Sequence, residues 1–155
     1  MSSSLTLVKT ACVCLYEQST KHILTVSRKT NHNIFTMPGG KLEPEETFGH
    51  GALRELKEET GYSLDPRDLY LFGKNQVLFE DFNYNTEKPE VISYCKTHFL
   101  IIEDRNRDLV SSPISPTETG VVRWQSPEVL LNPDNPFIDY NVKFIKVLRE
   151  YAKYI

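Results

Sequence analysis

The order of apolar and amphipathic segments predicts an α/β (α+β) architecture, a mixed sheet covered by helices on both faces. Three observations carry this. Leu5 to Tyr16 is mostly apolar and β-branched, suiting a strand covered on both sides. Thr47 to Gly61 places good helix formers between a threonine cap and a glycine stop. After Asn135 and Pro136, Phe137, Ile138, Phe144, Ile145, Leu148, Tyr151, Ala152 and Ile155 recur at helical spacing.

Between these landmarks the chain divides as follows. Glu17 to Lys21 is a polar turn, and His22 to Arg28 is a second strand that forms a hairpin with the first. Arg28 and Lys29 precede a polar loop, and Ile34 to Met37 leads into Pro38, Gly39 and Gly40, which read as a tight turn. Past the helix, Asp65 and Pro66 turn the chain, Asp68 to Phe72 is a strand, and Gln76 to Phe79 extends that arm. Asp81 to Glu90 is polar and reads as a loop presenting Phe82 and Tyr84. Val91 to Ile102 is long enough for a central strand, and Glu103 to Glu118, with two prolines, reads as a loop. Gly120 to Trp124 is a short strand, and Ser126, Pro127 and Glu128 open a helix. The resulting order is β-β-α-β-β-β-α, without repeats.

At 155 residues and 17.9 kDa, one domain spanning residues 1–155 is expected. The net charge of −3 supplies no basic field, so duplex nucleic acid is not an expected partner. The N-terminus lacks a charged region followed by an apolar core, and no run of about 20 apolar residues exists, so no leader or membrane span is expected. Cys12, Cys14 and Cys95 form no framework, which points to a reducing, cytoplasmic setting. Cys12 and Cys14 read as two small side chains of a buried strand.

Chemistry concentrates between Gly39 and Tyr62. On a helix, Glu55, Glu58 and Glu59 stand at i, i+3 and i+4 and share a face, where like charges repel. A hard divalent cation reverses the sign of that interaction. The other face carries Leu53, Leu56 and Thr60, suited to packing on a sheet. Gly49 and Gly51 each cost about 1 kcal/mol relative to alanine in a helix. Their presence calls for a close backbone approach. His50 and His98 read as structural.

Counted from Gly40, the spacing through Glu46, Arg54, Glu55, Leu56, Glu58, Glu59, Gly61 and Tyr62 resembles the complete signature of the Nudix hydrolases, G-x5-E-x7-R-E-U-x-E-E-x-G-U with U bulky and apolar. Only Tyr62 departs, standing where an aliphatic residue is usual. The resemblance implies an α/β/α sandwich with the signature helix on one face and the long C-terminal helix on the other. It implies Mg²⁺, with Mn²⁺ as substitute, held by Glu55, Glu58, Glu59 and the Gly39 carbonyl. Arg54 would orient the glutamates and Glu46 would support the helix start. Glu58 or Glu118 would act as general base. For substrate, Arg28, Lys41, Phe82 and Tyr84 are the expected contacts.

The family cleaves nucleoside diphosphates linked to another moiety, and its substrate markers outside the signature are missing here. A MutT-like reading remains: a small nucleotide, a nucleoside triphosphate, modified or not, cut to monophosphate and pyrophosphate. RNA 5′ ends, nucleotide sugars and a non-catalytic nucleotide sensor are the alternatives. Oligomeric state is not encoded legibly.

Overall fold

The computed structural model describes residues 5–64, 77–113 and 120–153. In chain order the elements are β1 (Thr6–Glu17), β2 (His22–Arg28), β3 (Asn31–Thr36), β4 (Gly39–Lys41), α1 (Phe48–Thr60), β5 (Tyr62–Ser63), β6 (Val77–Tyr84), β7 (Val91–Ile102), α2 (Arg105–Asp108), β8 (Val110–Ser111) and β9 (Val122–Gln125). A 3₁₀ turn at Pro127–Leu131 then leads to α3 (Ile138–Ala152).

Alternation along β1 sets the layers. Ala11, Val13 and Leu15 face Ala52 and Leu56 of α1, while Cys14 and Tyr16 join Tyr140, Phe144, Ile145 and Leu148 of α3 on the opposite side. A period of two in an apolar strand therefore places one helix on each face, as expected. Leu56 and Phe144 are fully buried, each worth about 2–3 kcal/mol in transfer from water.

The seven-stranded sheet among the described residues runs β3-β2-β1-β7-β6, with β4 added to β1 and β9 to β2. Its mixed character comes from one parallel pair: β1 and β7 match from Thr6↔Val91 to Glu17↔Ile102. The β1–β2 hairpin pairs only at Tyr16↔Ile23 and Glu17↔His22. Beyond that the facing edges take different partners, β1 pairing Thr10 to Cys12 with β4 and β2 pairing Val26 to Arg28 with β3, while β9 lies along the other edge of β2. A divergence of two neighbouring strands makes room for a cleft beside α1.

Five expectations need correction. The polar stretch through Asn33 is not all loop: Asn31 to Asn33 open β3, with Asn31 paired to Arg28 of β2. Gly39 and Gly40 are not a tight turn but extended in β4, held by pairing with β1. Asp81 to Tyr84 is not loop: it completes β6, paired along β7, with Phe79 against Tyr140 and Phe144 and Asp81 bonded to Lys143 Nζ at 2.7 Å. The segment after Glu103 contains α2, capped by Asp104 accepting from Asn106 N at 2.8 Å, and β8, paired with β5. The turn at Pro127 is 3₁₀, and the last helix starts at Ile138, after Asn135 Oδ1 accepts from Phe137 N at 2.9 Å. The expected strand at Asp68 to Phe72 lies outside the described residues.

Candidate active site

Local chemistry builds α1 as the sequence implies. Thr47 has extended dihedrals and its hydroxyl accepts from His50 N at 3.2 Å, satisfying one open N–H of the first turn. Gly61 ends the helix in the left-handed region, φ 77°, and its N–H bonds Lys57 O. Gly51 meets the expected close approach: a Cβ there would strike Leu42 Cδ2 and sit 3.0 Å from Glu46 Oε1. Gly40 is equally constrained, with the Glu55 carboxylate 2.8 Å from where its Cβ would stand. Tyr62 accepts a bond from Trp124 Nε1 at 3.3 Å and meets its ring edge-on. A tyrosine serves here where an aliphatic residue could only pack.

Arg54 is the hub. Its Nε and Nη2 donate to the two Glu46 oxygens at 2.8 and 2.9 Å, Nη2 also to Lys41 O at 3.0 Å, and Nη1 to Glu55 Oε1 at 3.0 Å and Glu58 Oε2 at 3.2 Å. The guanidinium beside Glu46 holds its carboxyl down at about 2, and the acid raises the Arg54 pKa in return. Glu46 also accepts Glu43 N at 3.0 Å, so the loop entering α1 is tied to the same pair.

Glu59 is placed differently. Its Oε1 accepts from Gly39 N at 2.7 Å, joining α1 to β4. Burial is the main cause that pushes the Glu59 carboxyl up to about 8; the Gly39 N–H opposes this, and the charges of Glu55 and Glu58 add to it. A carboxyl so destabilised as an anion has use for a cation.

Glu55, Glu58 and Glu59 line one cleft of about 860 Å³ together with Arg28, Lys29, Lys57, Ser27 and Phe137. Among the described residues, no three acidic, histidine or cysteine groups converge closely enough to hold a metal ion as they stand. The positions of the carboxylates follow from their present partners, Arg54 and the Gly39 N–H. The donor set nonetheless fits a hard divalent ion: three carboxylates on one helix face, all opening on one cleft.

The expected site residues divide into two groups. Arg28 lies in the cleft, its Nη2 3.2 Å from Glu87 Oε2 and its guanidinium over the Phe137 ring at 5.8 Å. Phe82, packed edge-on to Tyr94, and Tyr84, 57% exposed, both sit on β6 and do not line the cleft. Lys41 serves Arg54 through its carbonyl, and its side chain is absent from the cleft lining. Glu118 lies outside the described residues. Lys29, Lys57 and Phe137 were not anticipated. Lys29 follows Arg28 directly, a signal available in the sequence, whereas Phe137 reaches the cleft only because α3 packs across the sheet.

The description NUDIX domain matches residues 6–145. The chain belongs to the Nudix hydrolase family. Among curated relatives, diphosphoinositol polyphosphate phosphohydrolase 2 of Mus musculus is 31% identical over 96 residues, 62% of this chain and 49% of the relative. Dihydroneopterin triphosphate diphosphatase of Haemophilus influenzae is 28% identical over 93 residues, 59% of each chain. The chain spans about half the length of the first of these relatives. Among solved structures, a MutT protein from Methanosarcina mazei Go1 covers 95% of this chain and 96% of its own, with TM-score 0.61 and 19% identity. A bifunctional NMN adenylyltransferase/ADP ribose pyrophosphatase from Francisella tularensis, complexed with AMP and a manganese ion, covers 96% of this chain and 43% of its own, with TM-score 0.60 and 21% identity. These neighbours share the Nudix fold, a mixed sheet with helices on both faces. No described helix is long and apolar enough to cross a membrane.

Proposed function

We propose that this Nudix chain hydrolyses a phosphoanhydride with Mg²⁺ or Mn²⁺, and that its substrate is a nucleoside triphosphate, modified or not, cut to monophosphate and pyrophosphate. The observation that carries the reading is the meeting of Glu55, Glu58 and Glu59 with Arg28 and Lys29 in one cleft. A bound divalent ion supplies neutralisation of phosphate charge and acidification of an attacking water. Glu55, Glu58, Glu59 and the Gly39 carbonyl are the residues to hold it. Arg28 and Lys29 bind the phosphate chain, and Phe137 offers an aromatic face to the base. Glu58, 59% exposed where Glu55 is 17%, takes the proton from water as it attacks phosphorus, while the pyrophosphate oxygen departs. Arg54 keeps the glutamates in place and does not touch substrate.

A second reading has its own support. Among the described residues, three cationic side chains, Arg28, Lys29 and Lys57, share the cleft with a single aromatic ring, Phe137, a balance suited to a densely phosphorylated molecule. The relative named for diphosphoinositol polyphosphates agrees with it. A product assay on nucleoside triphosphates, modified and unmodified, nucleotide sugars, 5′-triphosphorylated RNA and a diphosphoinositol polyphosphate, with and without Mg²⁺, separates the readings. Pyrophosphate and monophosphate from a triphosphate are expected. Orthophosphate from the inositol compound alone selects the second reading, and full turnover in excess chelator removes both.

A further inference from the structure

On the face of the sheet under α3, β1 and β7 bring two thiols together. The parallel register sets Thr10 opposite Cys95 and Cys12 opposite Thr97, so Cys12 and Cys95 are diagonal neighbours on one face. Their sulfurs lie 3.5 Å apart, and both residues are free cysteines. Cys14, the third, is buried on β1 and bonded to neither. A pocket of about 150 Å³ reaches both Cys12 and Cys95, lined also by Gly39, Asn83 and Tyr140. Cys12 is half-buried and Cys95 is 1% exposed, so a small reagent in this pocket meets Cys12 first.

The pair also touches the glutamate site. Cys12 pairs with Gly39 across β1 and β4. A Cβ on Gly39 would stand 2.7 Å from Cys12 Sγ, so the sulfur rests against the Gly39 backbone. The same glycine donates its N–H to Glu59 at 2.7 Å. One residue thus separates the thiol pair from a carboxylate of the cleft.

We propose that Cys12 and Cys95 are a reversible oxidation site, closed to a disulfide by a small peroxide, and that closure loosens the Gly39 grip on Glu59. The chemistry balances. One sulfur, as thiolate, attacks a peroxide oxygen; the O–O bond breaks, hydroxide leaves and is protonated to water, and a sulfenic acid forms. The second sulfur attacks the first, its proton passing to the departing hydroxide, so that an S–S bond forms and a second water leaves. Two electrons pass from the thiols to the peroxide, and a dithiol reductant reverses the change. Bonded sulfurs stand about 2.05 Å apart, so the pair must close by roughly 1.5 Å. That movement draws Cys12 Sγ off the Gly39 backbone.

The test uses the intact chain and needs no turnover, so its result is independent of the functional reading. The protein is exposed to stepped hydrogen peroxide, quenched, and read by intact mass and peptide mapping; amide exchange at Gly39 is followed by NMR in reduced and oxidised samples. Expected are a loss of about 2 Da, a Cys12–Cys95 cross-linked peptide, and Gly39 exchange faster by about tenfold, all restored by dithiothreitol. Cys14→Ser retains the cross-link; Cys12→Ser and Cys95→Ser each abolish it. Oxygen added to either sulfur without a cross-link overturns the proposal. So does a cross-link that leaves Gly39 exchange unchanged.

Discussion

Arg54 clasps Glu46 with two parallel hydrogen bonds, Nε to Oε2 at 2.8 Å and Nη2 to Oε1 at 2.9 Å. The planar fork fixes the guanidinium, which leaves Nη1 aimed at Glu55 and Glu58. A lysine cannot make this clasp. Arg54→Lys is expected to lower kcat by about 10–100-fold through misplaced glutamates. It should cost about 1–3 kcal/mol of stability through unpaired groups, with KM little changed. Kinetics and urea melts on one preparation check both.

Glu58→Gln separates charge from packing. Glu58 is 59% exposed and accepts one bond from Arg54 Nη1 at 3.2 Å, so the nearly isosteric amide should leave the Tm within about a degree or two. Loss of a ligating carboxylate or the base itself should remove about 10²–10⁴-fold in kcat. Retention of more than a tenth of wild-type turnover would remove Glu58 from the chemistry.

Arg28→Ala should raise KM about tenfold or more at a stability cost of no more than about 1 kcal/mol, because its pair with Glu87 is open on the Glu87 side and its Nη1 is buried without a partner among the described residues. Phe82→Ala, at a residue outside the cleft lining, should leave KM alone. Wild-type kinetics for the Arg28 variant would return that arginine to a purely surface role.

Glu17 gives the acid limit of stability. Its buried carboxylate accepts from Arg105 Nη2 at 2.7 Å and Arg105 N at 2.7 Å, and the arginine is the main cause holding its pKa down at about 2. Because the folded value lies below the unfolded one, the stabilisation is complete above about pH 4.5 and drains away as pH falls toward 2. Arg105→Ala strands a buried charge and should cost about 3 kcal/mol at pH 7. The penalty should shrink by pH 3, a difference that urea midpoints at the two pH values will show.

His98 sets a second, milder limit. It is fully buried on β7, with neither ring nitrogen bonded among the described residues, and burial lowers its pKa from 6.5. The unfolded chain takes up the proton first, so stability begins to fall below about pH 6.5 and levels off once the folded imidazole also protonates. His98→Leu should match or exceed wild-type stability. Its stability should also be flatter between pH 6.5 and 5, as thermal melts across that range will reveal.

What was legible in the sequence was local. The Thr47 cap, the Gly61 stop and the shared face of Glu55, Glu58 and Glu59 follow from spacing along one helix, and the structure repeats them. The mostly apolar run from Leu5 to Tyr16 foretold a strand covered on both sides for the same reason. What escaped depends on pairing between distant segments. Two glycines after a proline imitate a turn until β1 supplies hydrogen bonds that extend them. Asp81-Phe82-Asn83-Tyr84 looks like a loop by polarity, yet its alternation suits an outer strand beside β7. Phe137 resembles any apolar residue of the last helix; only the packed sheet brings it over Arg28.

The parallel match of β1 to β7 governs the order in which the chain can assemble. Thr6 has no central partner until Val91 has been synthesised, and the pairing ends only with Ile102. The β1–β2 hairpin and α1 can form early from near neighbours, but the middle of the sheet must wait for a long loop to close. A nascent chain halted before β7 therefore holds an apolar strand with one open edge, the state most prone to aggregate. Ribosome-bound intermediates should gain protease resistance in one late step, after the whole of β7 has cleared the exit tunnel.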